Sequence, residues 1–249
     1  MKLYELNDLI YSVAPKETQC DYDNTGIMVG NPNAEITGVL TTLDATVAAV
    51  NKCKEKGYNV LLTHHPLFFS DVKNIMPTDR IGAVAIEAIK NGIAVVSHHT
   101  NLDVSPVGLN TYFAKKLGGK NVQPIAEGAV FEVGTSLGEL ANKIVEKFFT
   151  SVRVCGKLDK TIKKAFVITG AGGRDKDALR FAMENADVFI TGEMKHNFAY
   201  DCKELSLIEI SHYASERICG EVFKNILADT GLTVEHFDEP PYVEVNFKN

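Results

Sequence analysis

Three short motifs concentrate side chains that bind cations or move protons. Thr63–Pro66 reads THHP, His98–Asp103 reads HHTNLD and Ser211–Glu216 reads SHYASE. In THHP, neighbouring residues at a strand end point apart, so two ions side by side accommodate His64 and His65 better than one. The alternative is a hydrogen-bonded or surface pair, with Pro66 stiffening the exit. Asp103 is an oxygen donor able to bridge two cations, or else an Asx-turn former. His99 either orients a ligand or acts as a base, and Asn101 can orient its neighbours. His212 and Glu216 stand four apart on a helix and share one face, as a metal pair or as an ordinary hydrogen-bonded pair.

Together His64, His65, Asp103, His212 and Glu216 supply three imidazoles and two carboxylates. That mixture suits Zn, Fe, Mn, Co or Ni better than Ca or Mg alone. Five ligands exceed one open tetrahedral site. They fit two divalent ions with a carboxylate between them. At such a spacing, about 3.5–4 Å, a water loses a proton near neutral pH and becomes a nucleophile.

Other segments offer supporting groups. Asp44, in LDAT, either caps the following helix or reaches the metals, and we favour the latter. Asp23 and Asn24, in DYDNTGIMVG, are site residues or turn formers. GAGGRD (Gly170–Asp175) lets backbone approach an anion at a helix start, or is a tight strand-to-helix turn; Arg174 favours the anion if it points inward. TGEMKHN adds Glu193 and His196 to the same edge.

Buried strands and amphipathic helices must position these groups. Apolar runs at Gly38–Leu43, Asn59–Thr63 and Ile93–Ser97 read as strands, with helices over Ala45–Lys56 and Ile81–Asn91 between them. Gly57 and Gly92 stand where a left-handed helix end is wanted. The plan recurs with strands Ala165–Thr169, Asp187–Thr191 and Leu205–Ile210, a helix over Asp175–Asn185 and a long helix over Ser211–Asp229. Ser211 can cap that helix. NVLLTHHP can be laid over DVFITGEM, and VLTTLDAT over FVITGAGG, which suggests internal duplication as readily as the generic likeness of βαβ units. Val122–Lys157 links the halves and holds a helix over Ser136–Phe149. The βαβ pattern predicts an α/β fold with mostly parallel sheets in two packed lobes, residues 1–125 and 126–249. The histidines at 64, 65, 98, 99, 196 and 212 fall at strand carboxyl ends, where open α/β sheets bind ligands.

Composition narrows the function. The 249 residues are 45% hydrophobic and 23% charged, which fits a globular chain. A net charge of −6 argues against coating DNA through its phosphates, although a local basic patch remains compatible. The five cysteines are widely spaced with no C-x-x-C, so reduced thiols in a cytoplasmic protein are expected rather than a disulfide framework. Met1–Glu17 is amphipathic and lacks the apolar core of a signal peptide. No apolar run is long enough to span a membrane.

The motifs YDNTGIMVG, LDAT, THHPLFF, HTNLD, TGE and SHYASE occur in the order that resembles the Nif-three-like family, also called GTP cyclohydrolase I type 2 homologues. The resemblance spans nearly the whole chain. It implies two α/β lobes related by a pseudo-twofold, a dinuclear metal site between them ligated by His64, His65, Asp103, His212 and Glu216, and a ring-shaped homohexamer. Tyr22 stands where Trp is frequent, Arg174 where Gly is common, and Asn197 where a second His is usual. A metal-dependent hydrolase acting on a nucleotide or another phosphorylated compound follows, with Asp103 or Glu216 between the metals and His99 shuttling a proton. The competing expectation is a metal-holding ring that binds DNA or a regulatory partner without turnover; metal storage is a third.

Overall fold

The computed structural model describes residues 1–125, 127–202 and 204–243; residue 126, on the expected lobe boundary, residue 203 and residues 244–249 lie outside the described residues. The chain runs α1 (Leu3–Val13), β1 (Gly26–Val29), β2 (Val39–Thr42), α2 (Val47–Lys56), β3 (Val60–Thr63), α3 (Arg80–Lys90), β4 (Ala94–Ser97), α4 (Thr100–Asp103), α5 (Leu109–Lys116), β5 (Lys120–Ile125) and β6 (Gly128–Ser136). It continues α6 (Leu137–Phe148), β7 (Arg153–Cys155), β8 (Thr161–Ile168), α7 (Lys176–Asn185), β9 (Val188–Thr191), α8 (Phe198–Asp201), β10 (Ser206–Glu209), α9 (His212–Glu216), α10 (Cys219–Ile226) and β11 (Val234–His236).

Two sheets result, so the fold is mixed α/β. The first has the order β1-β4-β3-β2-β11, with β2, β3, β4 and β11 parallel and β1 antiparallel to β4. The second has the order β5-β6-β8-β9-β10-β7, with only β8, β9 and β10 mutually parallel. The expectation of mostly parallel sheets holds for the first and is corrected for the second. There the linking segment folds into the β5–β6 hairpin, which pairs antiparallel with β8, and β7 pairs antiparallel with β10.

Alternation along the strands explains the layering. Val39, Leu62 and Val96 face one core, while Leu40, Leu61 and Val95 face α2 and α3 on the other side of the first sheet. In the second sheet Val167, Val188 and Ile190 join that same first core, while Phe166, Phe189 and Leu207 pack with Ala178 and Leu179 of α7. Helices α1, α5, α6 and α10 supply Leu6, Phe113, Ile144 and Phe223 to the shared core. Phe113 and Phe148 stack there at 4.2 Å and 18°. Burying side chains of this kind stabilises by roughly 1.5–3 kcal/mol each.

Local signals end the elements as expected. Thr46 caps α2, accepting from the Ala49 amide at 3.0 Å, and Gly57 closes it in the left-handed conformation at φ 72°. Ser211 caps α9. The single helix expected over Ser211–Asp229 is instead two, α9 and α10. Their junction at Arg217–Ile218 is a tightened turn in which the Glu221 amide bonds the Ile218 carbonyl three residues back.

Candidate metal centre

The carboxyl ends of both parallel strand sets meet at one pocket. Asp44 follows β2, His64 and His65 follow β3, and His99 follows β4. From the second sheet come Gly170 after β8, Glu193 after β9 and His212 after β10. Ser211 takes φ 100°, a value side-chain-bearing residues rarely adopt, as the chain turns from β10 into α9.

The distances define two sets of donors joined at Glu216. His64 Nε2 lies 3.7 Å from Asp103 Oδ1 and 3.9 Å from Glu216 Oε1. Glu216 Oε2 lies 3.0 Å from His65 Nε2 and 2.8 Å from His212 Nε2, and those two nitrogens are 3.3 Å apart. The donor atoms of His65, His212 and Glu216 lie within 4.8 Å of one another, as do those of His64, His65 and His99. Either group can hold a metal ion.

The outer ring nitrogens fix which nitrogen faces inward. His64 Nδ1 donates to the His98 carbonyl at 3.0 Å, His65 Nδ1 to Asp44 at 3.0 Å and His212 Nδ1 to Glu193 at 2.7 Å. A carbonyl or carboxylate accepts only, so each Nδ1 carries hydrogen and each neutral ring turns an Nε2 lone pair toward Glu216. With the rings neutral, three lone pairs and a buried carboxylate would face one another, an arrangement that calls for a cation. Among the described residues, His64 Nε2 and Asp103 Oδ1 are buried with no hydrogen-bond partner. Leaving such groups unpaired costs about 1–3 kcal/mol each, and a cation between them would satisfy both. The residues therefore fit a divalent metal.

The charges agree. Burial drives the His64 imidazole down to about 3, so it stays neutral as a ligand must. Burial also opposes a charge on His65, but hydrogen bonds to Asp44 and Glu216 outweigh it and lift it to about 10. Burial, then the Glu216 charge, pushes Asp103 well above the usual carboxyl range. Burial opposes ionisation of Glu216 too, yet bonds from His212 and His65 hold it well below that range. The pocket demands positive charge and takes protons on its imidazoles where no metal supplies it.

His99 stands beside these donors, its ring centre 5.0 Å from that of His64 and 5.5 Å from that of His65. Its Nδ1 bonds Asp23 at 2.9 Å, and the other Asp23 oxygen accepts from the Thr100 amide at 2.9 Å and hydroxyl at 2.5 Å. Burial works against a charge on Asp23, but His99 and Thr100 hold it below the usual range. A cavity of about 520 Å³ opens over the site, lined among others by Tyr22, Phe69, His99, Asp103, Arg174 and Glu216.

The structure thus brings together His64, His65, Asp103, His212 and Glu216, with His99 adjacent and Asp44 on the outer nitrogen of His65. Asp44 does not cap α2. Two histidines of the strand ends lie elsewhere: His98 is buried against Tyr11 and Asn101, and His196 is exposed beside Tyr200. Arg174 lines the cavity but is 66% exposed and paired with Glu193. Asn24 bonds the Phe68 carbonyl at 2.7 Å. Sequence reasoning left Glu193 without a role; its place just beyond a strand end was the one signal available. The sequence placed Gly170 in an anion-binding glycine turn or a tight strand-to-helix turn, with no link to Glu216. Gly170 takes φ 63°, and a Cβ there would stand 1.9 Å from Glu216 Oε1.

Fold and site together define a two-sheet α/β protein with a histidine–glutamate cluster able to hold a metal ion. The chain belongs to the Duf34/NIF3 (NGG1p interacting factor 3) family, whose profile matches residues 1–240. A Clostridium acetobutylicum protein named GTP cyclohydrolase 1 type 2 homolog is 31% identical over 87% of this chain and 85% of its own length. A Clostridium perfringens protein of the same name is 33% identical over 87% of each. Among solved structures, a Staphylococcus aureus protein superposes with a TM-score of 0.87 at 29% identity, covering 98% of this chain and 99% of that one. Reduced HcgD from Methanocaldococcus jannaschii gives 0.81 at 27%, covering 96% and 97%. Among the described residues no helix is long and apolar enough to cross a membrane.

Proposed function

We propose that the chain is a metal-dependent hydrolase acting on a nucleotide or related phosphorylated compound. The observation that carries this reading is the set of three Nε2 atoms facing Glu216, each ring fixed by a partner on Nδ1, beneath an open cavity. In it, His64, Asp103, His65, His212 and Glu216 would hold two divalent ions. Bound there, the two ions supply a Lewis acid and lower the pKa of a water. His99, oriented by Asp23, takes or returns a proton at Nε2. Asp44 and Glu193 keep the His65 and His212 rings in the ligating tautomer. Arg174 and the glycine turn after β8 face the cavity where an anionic group would enter. The name of the clostridial relatives supports a guanine nucleotide as the first substrate to try.

Elemental analysis of protein purified without chelator should find about two ions per chain, as a dinuclear site requires. His64→Ala and Glu216→Ala should show marked loss. Loaded protein should turn over at least one nucleotide or phosphoester in a broad screen. Equal turnover by His65→Ala, or full metal content in Glu216→Ala, would overturn the reading. We also propose a homohexameric ring in the cytoplasm. Val72, Ile75 and Met76 are exposed on the segment between β3 and α3, and subunit contact would cover them. Light scattering that gives a monomer mass would remove it.

A further inference from the structure

Far along the chain from the metal ligands of the first sheet, two thiols face one acceptor. Cys155 ends β7, at the edge of the second sheet, and Cys202 follows α8. Cys155 Sγ lies 3.6 Å from the Ala199 carbonyl oxygen, and Cys202 Sγ lies 3.5 Å from the same atom. One carbonyl offers two lone pairs, so both thiols share it. Cys202 is 3% exposed in the apolar cluster with Phe166, Phe189 and Leu207, and Cys155 is half-buried against that cluster. Burial first, and then the neighbouring Cys155, holds the Cys202 thiol above its usual range. Among the described residues the remaining thiols lack such an arrangement: Cys20 bonds Glu127 at 3.3 Å, while Cys53 and Cys219 are buried beside backbone carbonyls.

We infer that Cys155 and Cys202 form a thiol–disulfide exchange site whose co-substrate is a small-molecule disulfide. Cys155, the more exposed of the two, loses its proton and attacks one sulfur of that disulfide. A mixed disulfide forms on Cys155 and one small thiolate leaves. Cys202, giving up its proton, then attacks the Cys155 sulfur, so that the protein disulfide forms and the second small thiolate leaves. Two protein thiols are oxidised, one disulfide is reduced to two thiols, and the two protons end on the released thiolates. A small dithiol reverses both steps. The bond would tie α8 to β7. Because α8 lies on the same run from β9 to β10 as Glu193, the tie reaches the segment that holds His212. The inference does not depend on the metal reading.

The test is incubation of the full-length protein with oxidised glutathione, followed by alkylation under unfolding conditions and peptide mapping by mass spectrometry. The expected result is a cross-linked pair of peptides joining Cys155 to Cys202, two fewer alkylated thiols than in the reduced protein, and reversal by dithiothreitol. Cys202→Ser should stop at a lasting glutathione adduct on Cys155. Retention of all five alkylatable thiols, a bridge that involves Cys20, or an adduct on Cys155 that persists in the unmutated chain would each overturn the assignment. The map of the unmutated chain decides the matter even where a variant fails to fold.

Discussion

At the scale of single residues, the outer nitrogens of the imidazoles matter as much as the inner ones. Asp44 and Glu193 touch the candidate ligands rather than the pocket centre, and each fixes a tautomer. Removing such a partner commonly lowers metal affinity by about 10–100-fold. Asp44→Ala and Glu193→Ala should do so in competition titrations against a chelator, with far-UV circular dichroism unchanged. Unaltered affinity would show that the rings are held by packing alone. Gly170 makes a different demand. Its φ of 63° and its approach to Glu216 leave no room for a methyl group. Gly170→Ala should cost about 1–3 kcal/mol in urea denaturation, the usual range for a strained backbone position, and should also weaken metal binding. A variant as stable and as metal-rich as the parent would contradict the crowding seen here.

At the scale of elements, α6 carries a pH-dependent end. Ser136 Oγ accepts from the Glu139 amide at 3.2 Å, while Glu139 accepts from the Ser136 amide at 3.0 Å and the Thr135 hydroxyl at 2.7 Å. The Ser136 amide, followed by the two hydroxyls, lowers Glu139 from an ordinary 4.5 to about 2. A carboxyl depressed on folding adds stability that is present above its unfolded value and lost as the pH falls toward its folded one. The melting-temperature gap between the parent and Glu139→Gln should therefore be larger at pH 6 than at pH 2.5; a gap independent of pH would refute the assignment. The same helix was legible in the sequence, because its amphipathic pattern is local. So were β2, β3, β4, β8, β9 and β10, whose continuous apolar runs need no partner to be seen, and the pairing of His212 with Glu216 on one helical face. Other features depend on distant neighbours. The β5–β6 hairpin lies mostly in the segment read as a link, and β5 is largely exposed. β1, β7 and β11 are edge strands of three or four residues, too short to show a period. Glu193 could be placed at the pocket's edge, but its bond to His212 joins the end of β9 to the start of α9, with two elements between them.

At the scale of the whole molecule, the shared core couples the two sheets. Phe113 and Phe148, from α5 and α6, stack within it. Phe113→Ala should cost about 3–5 kcal/mol, as emptying a packed aromatic site does. It should lower the unfolding midpoint of both halves together, read by hydrogen exchange in β3 and β9. Loss of protection in one sheet alone would mean that the halves unfold independently. The placement of β11 carries a consequence for how such a chain reaches its final form. Val234, Glu235 and His236 lie beside Val39, Leu40 and Thr41, although the entire second sheet intervenes along the polypeptide. During synthesis on the ribosome, β2 must keep an open flank until nearly everything else has emerged. A nascent chain halted before residue 234 therefore presents an unpaired strand, a ready template for wrong partners, and the last ladder to zip up closes a very long loop.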